Sequence, residues 1–235
     1  MTVVQPPPTR AVRDMFTAIA PRYDFLNHFL SLGVDRGWRR KAVDRLGWEA
    51  RPDGLYLDAC AGTLDLAAEL ARRRAFSGRV VGADFSAPML RLGAGKARPG
   101  AMRAAAADAL DLPFPDARFD GAMVAFGVRN LVDLDAGLAE LARVLRPGAR
   151  LVVLEFTTPA WAPFRALYHF YFHRLLPLVG RAVSGHPTAY SYLPASVSSF
   201  PAPDALLAKL EAAGLHDCAY SLLTGGIAAL HWGAR

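Results

Sequence analysis

At 235 residues, 53% hydrophobic and 20% charged, the chain has the size and apolar content of one large domain with a substantial core. No run of about 18 or more charge-free apolar residues appears, which excludes a spanning helix. Cys60 and Cys218 are the only cysteines and neither has zinc-type spacing, while the six histidines are scattered, so neither a disulfide framework nor a metal site is expected.

The net charge of +6, with no dense basic run, fits charge spread over solvated faces as well as it fits an anionic partner; of such partners a membrane surface is favoured and no nucleic acid is expected. The opening "MTVVQPPPTRAVRD" lacks the basic-then-apolar layout of a secretory signal and points to a cytoplasmic location. Short amphipathic helical segments follow to about Gly47. "LYLDAC" (Leu55 to Cys60) is an apolar run of strand length, and a helix pattern runs from Asp65 to about Arg74. "RVVGAD" (Arg79 to Asp84) reads as a second strand and "APMLRLGAGKA" as a helix. "AMRAAAAD" (Ala101 to Asp108) is a third strand weakened by its alanines, and "FDGAMVAF" (Phe119 to Phe126) a fourth. A helix "LDAGLAELARVL" and a fifth strand "ARLVVLEF" (Ala149 to Phe156) complete the alternation. Short apolar strands separated by helices predict an α/β fold with a parallel sheet covered on both faces. The end departs from that rhythm. After a helix near Asp204 to Ala213, "HDCAYSLL" and "GIAALHWG" lie too close together for a crossover, so they should pair antiparallel at a sheet edge.

In such a sheet, ligands bind at the carboxyl ends of the strands where strand order reverses. Asp58 to Asp65, Asp84, Asp108 and "FGVRN" fall there. An acid closing the second strand suits a ribose diol, because a carboxylate accepts from both hydroxyls. Asp108, with the Leu, Pro and Phe that follow it, suits an adenine. One such acid alone would more often be a helix cap or turn residue; three in succession favour an adenosine site. The first loop, "CAGTLDLA", keeps one glycine, Gly62, and has Leu64 where a dinucleotide loop has another. Asp65 at the helix start would repel a pyrophosphate and tolerate a cation. Acids at Asp58 and Asp65 therefore suit a ligand carrying an ammonium and a sulfonium, S-adenosylmethionine.

With these residues in place the chain resembles the UbiE/MenG/Coq5 family of quinone C-methyltransferases, within the class I S-adenosylmethionine-dependent methyltransferases. The resemblance runs from about Arg13 to Gly233. It is carried by "MFTAIAPRYDFLNHFLSLGVDRGWRR", "LDACAGTLDLA", "GADFSAPML", "DALDLPFPDARFD", "FGVRNLVDLDAGLAELARVLRPGARLVVLEF", "YSYLPASVSSFPAPDALLAKLEAAGL" and "TGGIAALHWG". It implies a Rossmann-like domain with a seven-stranded, mostly parallel sheet and an antiparallel C-terminal edge. Residues 10–47 would form a helical lid, 55–156 the cofactor-binding core, 159–200 a substrate- and membrane-facing helical insert, and 203–233 the terminal helix and strand pair. The family's cofactor contacts fall on Thr63, Asp84, the Asp108–Ala109 pair and Ala125; Phe85, beside Asp84, joins Asp58, Gly62 and Asp65 in the cofactor-binding set. Ala125 stands where Ser is common in the family, and Leu64 where Gly is.

The implied reaction is methylation of a ring carbon of a polyprenylated quinol, demethylmenaquinol or its methoxy-benzoquinol counterpart, with no metal. Arg129, Asn130 and Tyr23 form the expected catalytic set. A guanidinium is a poor base because its pKa exceeds about 12, so Arg129 is expected to stabilise the phenolate while Asn130 and Tyr23 order a proton-carrying water. The competing use of Arg129 is a pair with Asp24 or Asp133 that fixes its loop. Tyr23, Asp24 and Asn27 belong to the expected lid. The insert from Pro159 to Gly185 interleaves Trp, Tyr, Phe and Leu with Arg and His, which suits a lipid-tail groove and peripheral contact with the inner face of the cytoplasmic membrane. The same rings would equally serve as core or as a homodimer interface. His169 and His173, four apart, read as groove or packing residues before ligands.

Overall fold

The computed structural model describes residues 17, 31, 33–170 and 189–235. Its helices among these residues are α1 (Val34–Arg45), α2 (Asp65–Ala71), α3 (Ala87–Gly93), α4 (Leu134–Arg143), α5 (Ala162–Phe170), α6 (Ala189–Ser199) and α7 (Pro203–Ala212). Its strands are β1 (Leu55–Ala59), β2 (Arg79–Asp84), β3 (Met102–Ala106), β4 (Phe119–Ala125), β5 (Leu145–Phe156), β6 (His216–Leu223) and β7 (Ala228–Ala234).

The strands form one seven-stranded sheet in the order β3-β2-β1-β4-β5-β7-β6. The first five run parallel, while β7 pairs antiparallel with both β5 and β6. Strand order reverses between β1 and β4, so the crevice expected of an open α/β sheet lies at their carboxyl ends.

Alternation along each strand divides the core in two. Tyr56, Met123, Val152 and Leu154 pack on one face with Trp38 and Val43 of α1 and Leu66 and Leu70 of α2. Leu57, Val124, Leu151 and Val153 pack on the other with Leu138 and Leu141 of α4 and Leu206 and Leu210 of α7. Each buried leucine contributes about 1.5–3 kcal/mol, which outweighs the few tenths by which helix propensities differ per residue. Local signals set the ends. The Asp133 carboxylate accepts from the Ala136 amide at 2.9 Å to cap α4, and α3 and α7 begin with prolines in their first turn.

Three of the boundaries that differ from the sequence reading have a cause visible in the packing. β5 starts at Leu145, ahead of Pro147 and Gly148, because Gly148 takes a φ of 78° and the strand absorbs the irregularity as a register shift against β4. α3 stops at Gly93, whose missing side chain lets the helix end lie on the first cofactor loop; a Cβ there would come within 2.2 Å of the Thr63 carbonyl oxygen. α2 stops at Ala71, where the chain turns to bring Phe76 into the core.

Candidate active site

The loop from β1 into α2 is built from left-handed residues. Cys60, Gly62 and Leu64 have φ of 51°, 52° and 63°, alternating with Ala61 and Thr63. This winding turns the Gly62 amide toward β2, where it donates to Asp84 Oδ2 at 2.8 Å. A dinucleotide loop would aim such an amide at phosphate; here it meets a carboxylate. Asp84 Oδ1 accepts from the Ser86 amide at 2.8 Å, so each oxygen is fixed and each keeps a lone pair for a ligand. Burial raises the pKa of Asp84 and the two amides oppose that rise. Ser86 also meets Thr17 at 3.0 Å between hydroxyls, which brings a residue of the head segment to this corner.

Leu64 points away from the loop's open side. Only 1% exposed, its Cδ2 occupies the space over Gly82 of β2, where an added Cβ would lie 2.1 Å from it. A glycine in β2 thus makes room for the leucine that stands in the loop.

A cleft follows the carboxyl ends of β1 to β4 and encloses about 680 Å³ counting its open mouth. Of the expected cofactor residues, Gly62, Asp84, Phe85, Asp108, Ala109 and Ala125 line it, and Asn130 of the expected catalytic set joins them. Asp108 Oδ1 accepts from the Leu110 amide at 3.0 Å, and Leu110, Leu131 and Val132 give the cleft an apolar wall. Gly127 closes its floor. A Cβ there would come within 2.3 Å of Cys60 Cβ, so the loops after β1 and β4 meet in direct contact. Desolvation, then the carboxylates of Asp84, Asp58, Glu155 and Asp108, push the Cys60 thiol up.

The other expected residues lie outside the lining. Asp58 is buried and its Oδ2 accepts from the Ala67 amide in the first turn of α2 at 2.8 Å, which makes it a helix cap supplied by a strand. Desolvation raises its pKa to about 7 against the pull of that amide and of Arg39. Thr63 is buried beneath the loop. Asp65 meets a cation, as its position predicted, but the cations are the protein's own: Lys96 Nζ at 2.5 Å and Arg39 Nη2 at 3.8 Å. Tyr23, Asp24, Asn27 and His173 lie outside the described residues. His169 sits beside Tyr168, with ring centroids 5.8 Å apart.

Of the two acids weighed for Arg129, Asp24 lies outside the described residues and Asp133 caps α4; the observed partner is Glu155. Arg129 Nη1 lies 2.8 Å from Glu155 Oε1 and also donates to the Phe126 carbonyl, with both charged side chains buried, 5% and 1% exposed. Glu155 Oε2 accepts from the Arg129 amide at 3.3 Å, and Glu155 Oε1 from the Phe156 amide at 2.9 Å. Beside the pair, the Tyr192 hydroxyl of α6 donates to Asn130 Oδ1 at 2.9 Å. Phe126, with φ of 60°, stacks on Phe156 at 4.5 Å between centroids, with Arg39 near one ring and Arg129 near the other. Glu155 and Tyr192 were absent from the sequence reading. The first had a signal, a lone acid inside "VVLEF"; the second is one tyrosine of "YSYL", with nothing local to mark it.

A family model described as the ubiE/COQ5 methyltransferase family matches residues 4–235. A demethylmenaquinone methyltransferase of Thermus thermophilus is 52% identical over 223 residues, covering 94% of this chain and 100% of that one. A ubiquinone/menaquinone biosynthesis C-methyltransferase UbiE of Geotalea daltonii is 44% identical over 228 residues, covering 95% and 96%. Among solved structures, a chain in the complex between the Haloferax volcanii Trm112 methyltransferase activator and a putative methyltransferase superposes with a TM-score of 0.66 over 93% of this chain and 96% of that one. At 16% identity, that last likeness speaks to the fold alone.

Proposed function

The chain belongs to the ubiE/COQ5 methyltransferase family, and we propose that it methylates a ring carbon of a polyprenylated quinol, demethylmenaquinol, in menaquinone biosynthesis, with S-adenosylmethionine as donor. The observation that carries the acceptor is the likeness, across nearly the whole chain, to the Thermus thermophilus demethylmenaquinone methyltransferase. A second acceptor, the 2-methoxy-6-polyprenyl-1,4-benzoquinol of the ubiquinone pathway, is favoured by the relative whose name covers both quinones.

The residues present fit the donor. Asp84 keeps one lone pair on each oxygen for a ribose diol, the Asp108–Ala109 turn and its apolar wall suit an adenine, and Gly62 permits close backbone approach. When bound, S-adenosylmethionine supplies an electrophilic sulfonium methyl group. The protein's share is alignment, stabilisation of the quinolate and management of the one proton released overall. Arg129 contributes positive charge at the β4 end of the cleft, and Asn130, which lines it, orders a proton-carrying water together with Tyr23.

Among the described residues no helix is long and apolar enough to cross a membrane. Peripheral contact is proposed for the face that carries α5, where Trp161 is 70% and Phe170 57% exposed.

The test is transfer of a labelled methyl from S-adenosylmethionine to reduced demethylmenaquinol, run beside the benzoquinol. Transfer to demethylmenaquinol is expected; tight donor binding with no transfer to either quinol would overturn the acceptor assignment.

A further inference from the structure

Glu155 is the unexplained group of this site. A carboxylate in the interior of a sheet costs several kcal/mol unless it is paired and its remaining lone pairs are hydrogen-bonded. Glu155 grips Arg129 twice, at the guanidinium and at the backbone amide, and takes a third hydrogen bond from its own neighbour Phe156. Its register partner across β5 and β7 is Ala229, which brings no charge. Among the described residues, the titratable and charged groups that bear on it are Arg129 from the loop after β4, Tyr192 of α6 and Cys60 of the β1 loop; Tyr168 of α5 joins them through Arg129. All of the guanidinium's observed hydrogen bonds lie on Nη1, and its buried Nε has no partner among the described residues.

We propose that Glu155 is a positioning residue for methyl transfer: it fixes Arg129 from behind and, as a buried counter-charge, sets how much of the guanidinium's field reaches a phenolate in the adjoining space. The inference rests on the quinol reading above for its catalytic meaning, and on the pair's geometry for its physical content. An unpaired Arg129 would make a quinolate too stable, and a too-stable phenolate pushes less electron density onto its ring carbon. A guanidinium with no counter-charge also has no fixed place in a dry site. A carboxylate 2.8 Å behind the guanidinium answers both needs at once.

The protein carries its own reporter of this field. The Tyr192 hydroxyl is a phenol hydrogen-bonded to Asn130, and its acidity answers to burial first, then to Arg129, which lowers its pKa, and to Glu155, which raises it. Tyr192 can be replaced by a fluorinated tyrosine, a more acidic phenol whose ionisation is followed by fluorine NMR within the range where the fold persists. Relative to the unaltered pair, Glu155→Gln is expected to lower that phenol's pKa by about one unit. Glu155→Asp, which keeps the charge, should restore it. If Glu155→Gln does not fold, Arg129→Met combined with Glu155→Gln removes both charges at similar volume and should raise the pKa, since the guanidinium is the stronger influence. Coincident titrations across the variants would overturn the proposal, because the pair would then set no field at a phenol in the adjoining space, and an unshifted kcat–pH profile would reduce it to a structural ion pair. In turnover, the acid limb of the kcat–pH profile should shift to lower pH in Glu155→Gln. A shifted phenol in a protein that methylates no quinol would sink the acceptor assignment and leave this inference standing.

Discussion

The two halves of the cleft hold their polar groups in opposite ways. At β1 and β2, Asp58 and Asp84 are anchored by backbone amides of the adjoining turns, at Ala67, Gly62 and Ser86. At β4 and β5, Arg129 and Asn130 depend on other side chains, Glu155 and Tyr192, the second arriving on a helix far along the chain. Backbone anchoring makes the β1–β2 half as rigid as the turns themselves. Side-chain anchoring leaves the β4–β5 half dependent on α6 and on one buried ion pair. The first arrangement suits a ligand of fixed shape; the second suits a site where charge must be tuned.

Five substitutions probe that division, from the largest effect to the smallest. Truncating either member of the buried pair, Arg129→Ala or Glu155→Ala, should cost about 3–5 kcal/mol in urea unfolding, because the remaining charge is left uncompensated. The double variant should cost less than the sum, and Arg129→Ala should bind donor while losing turnover. Asp84→Ala should weaken donor binding about 100-fold or more by calorimetry, through loss of two charge-assisted hydrogen bonds. The β4 half should be untouched, so the stability of the ion pair is the control.

Asp58→Asn tests the β1–β2 half through pH. Burial raises Asp58 to about 7 from an ordinary value of 3.8, so its stabilising share is full below that ordinary value and is lost as pH rises through about 7. The variant keeps an acceptor for the Ala67 amide and should flatten stability over this window, gaining about 2 kcal/mol at the alkaline end. A wild type equally stable at both ends of the window would contradict this. Leu64→Gly should lose about 1–2 kcal/mol, since the cavity left over Gly82 outweighs the relief of a left-handed leucine. Donor affinity should stay within about threefold, because the leucine faces the sheet. A larger loss would mean that Leu64 shapes the loop's open side.

Much of this was legible in the sequence. The alternation of apolar runs with helices predicts the sheet and its antiparallel end, and "HDCAYSLL" spans β6 as observed. The Arg146-Pro147-Gly148 stretch hid the start of β5, because it looks like a break until a neighbouring strand holds it in register. At the site, acids at strand ends were readable from position, yet their partners were not. Lys96 lies 31 residues from Asp65, and Glu155 lies 26 from Arg129. Local pattern places a charge at the right end of a strand; only the folded chain decides what it faces. Local spacing offers Arg129 the acid four residues on, Asp133, whereas the fold gives it Glu155.

One consequence concerns Cys60. Quinols are handled alongside their oxidised forms, and an oxidised quinone is an electrophile that thiolates attack. A thiolate lining this cleft would invite a permanent adduct with a stray oxidised substrate. Cys60 lines the cleft, yet burial first, and then the carboxylates of Asp84, Asp58, Glu155 and Asp108, hold it as a neutral thiol. Burial and the acids that shape this site therefore also keep its one thiol out of the acceptor's redox chemistry.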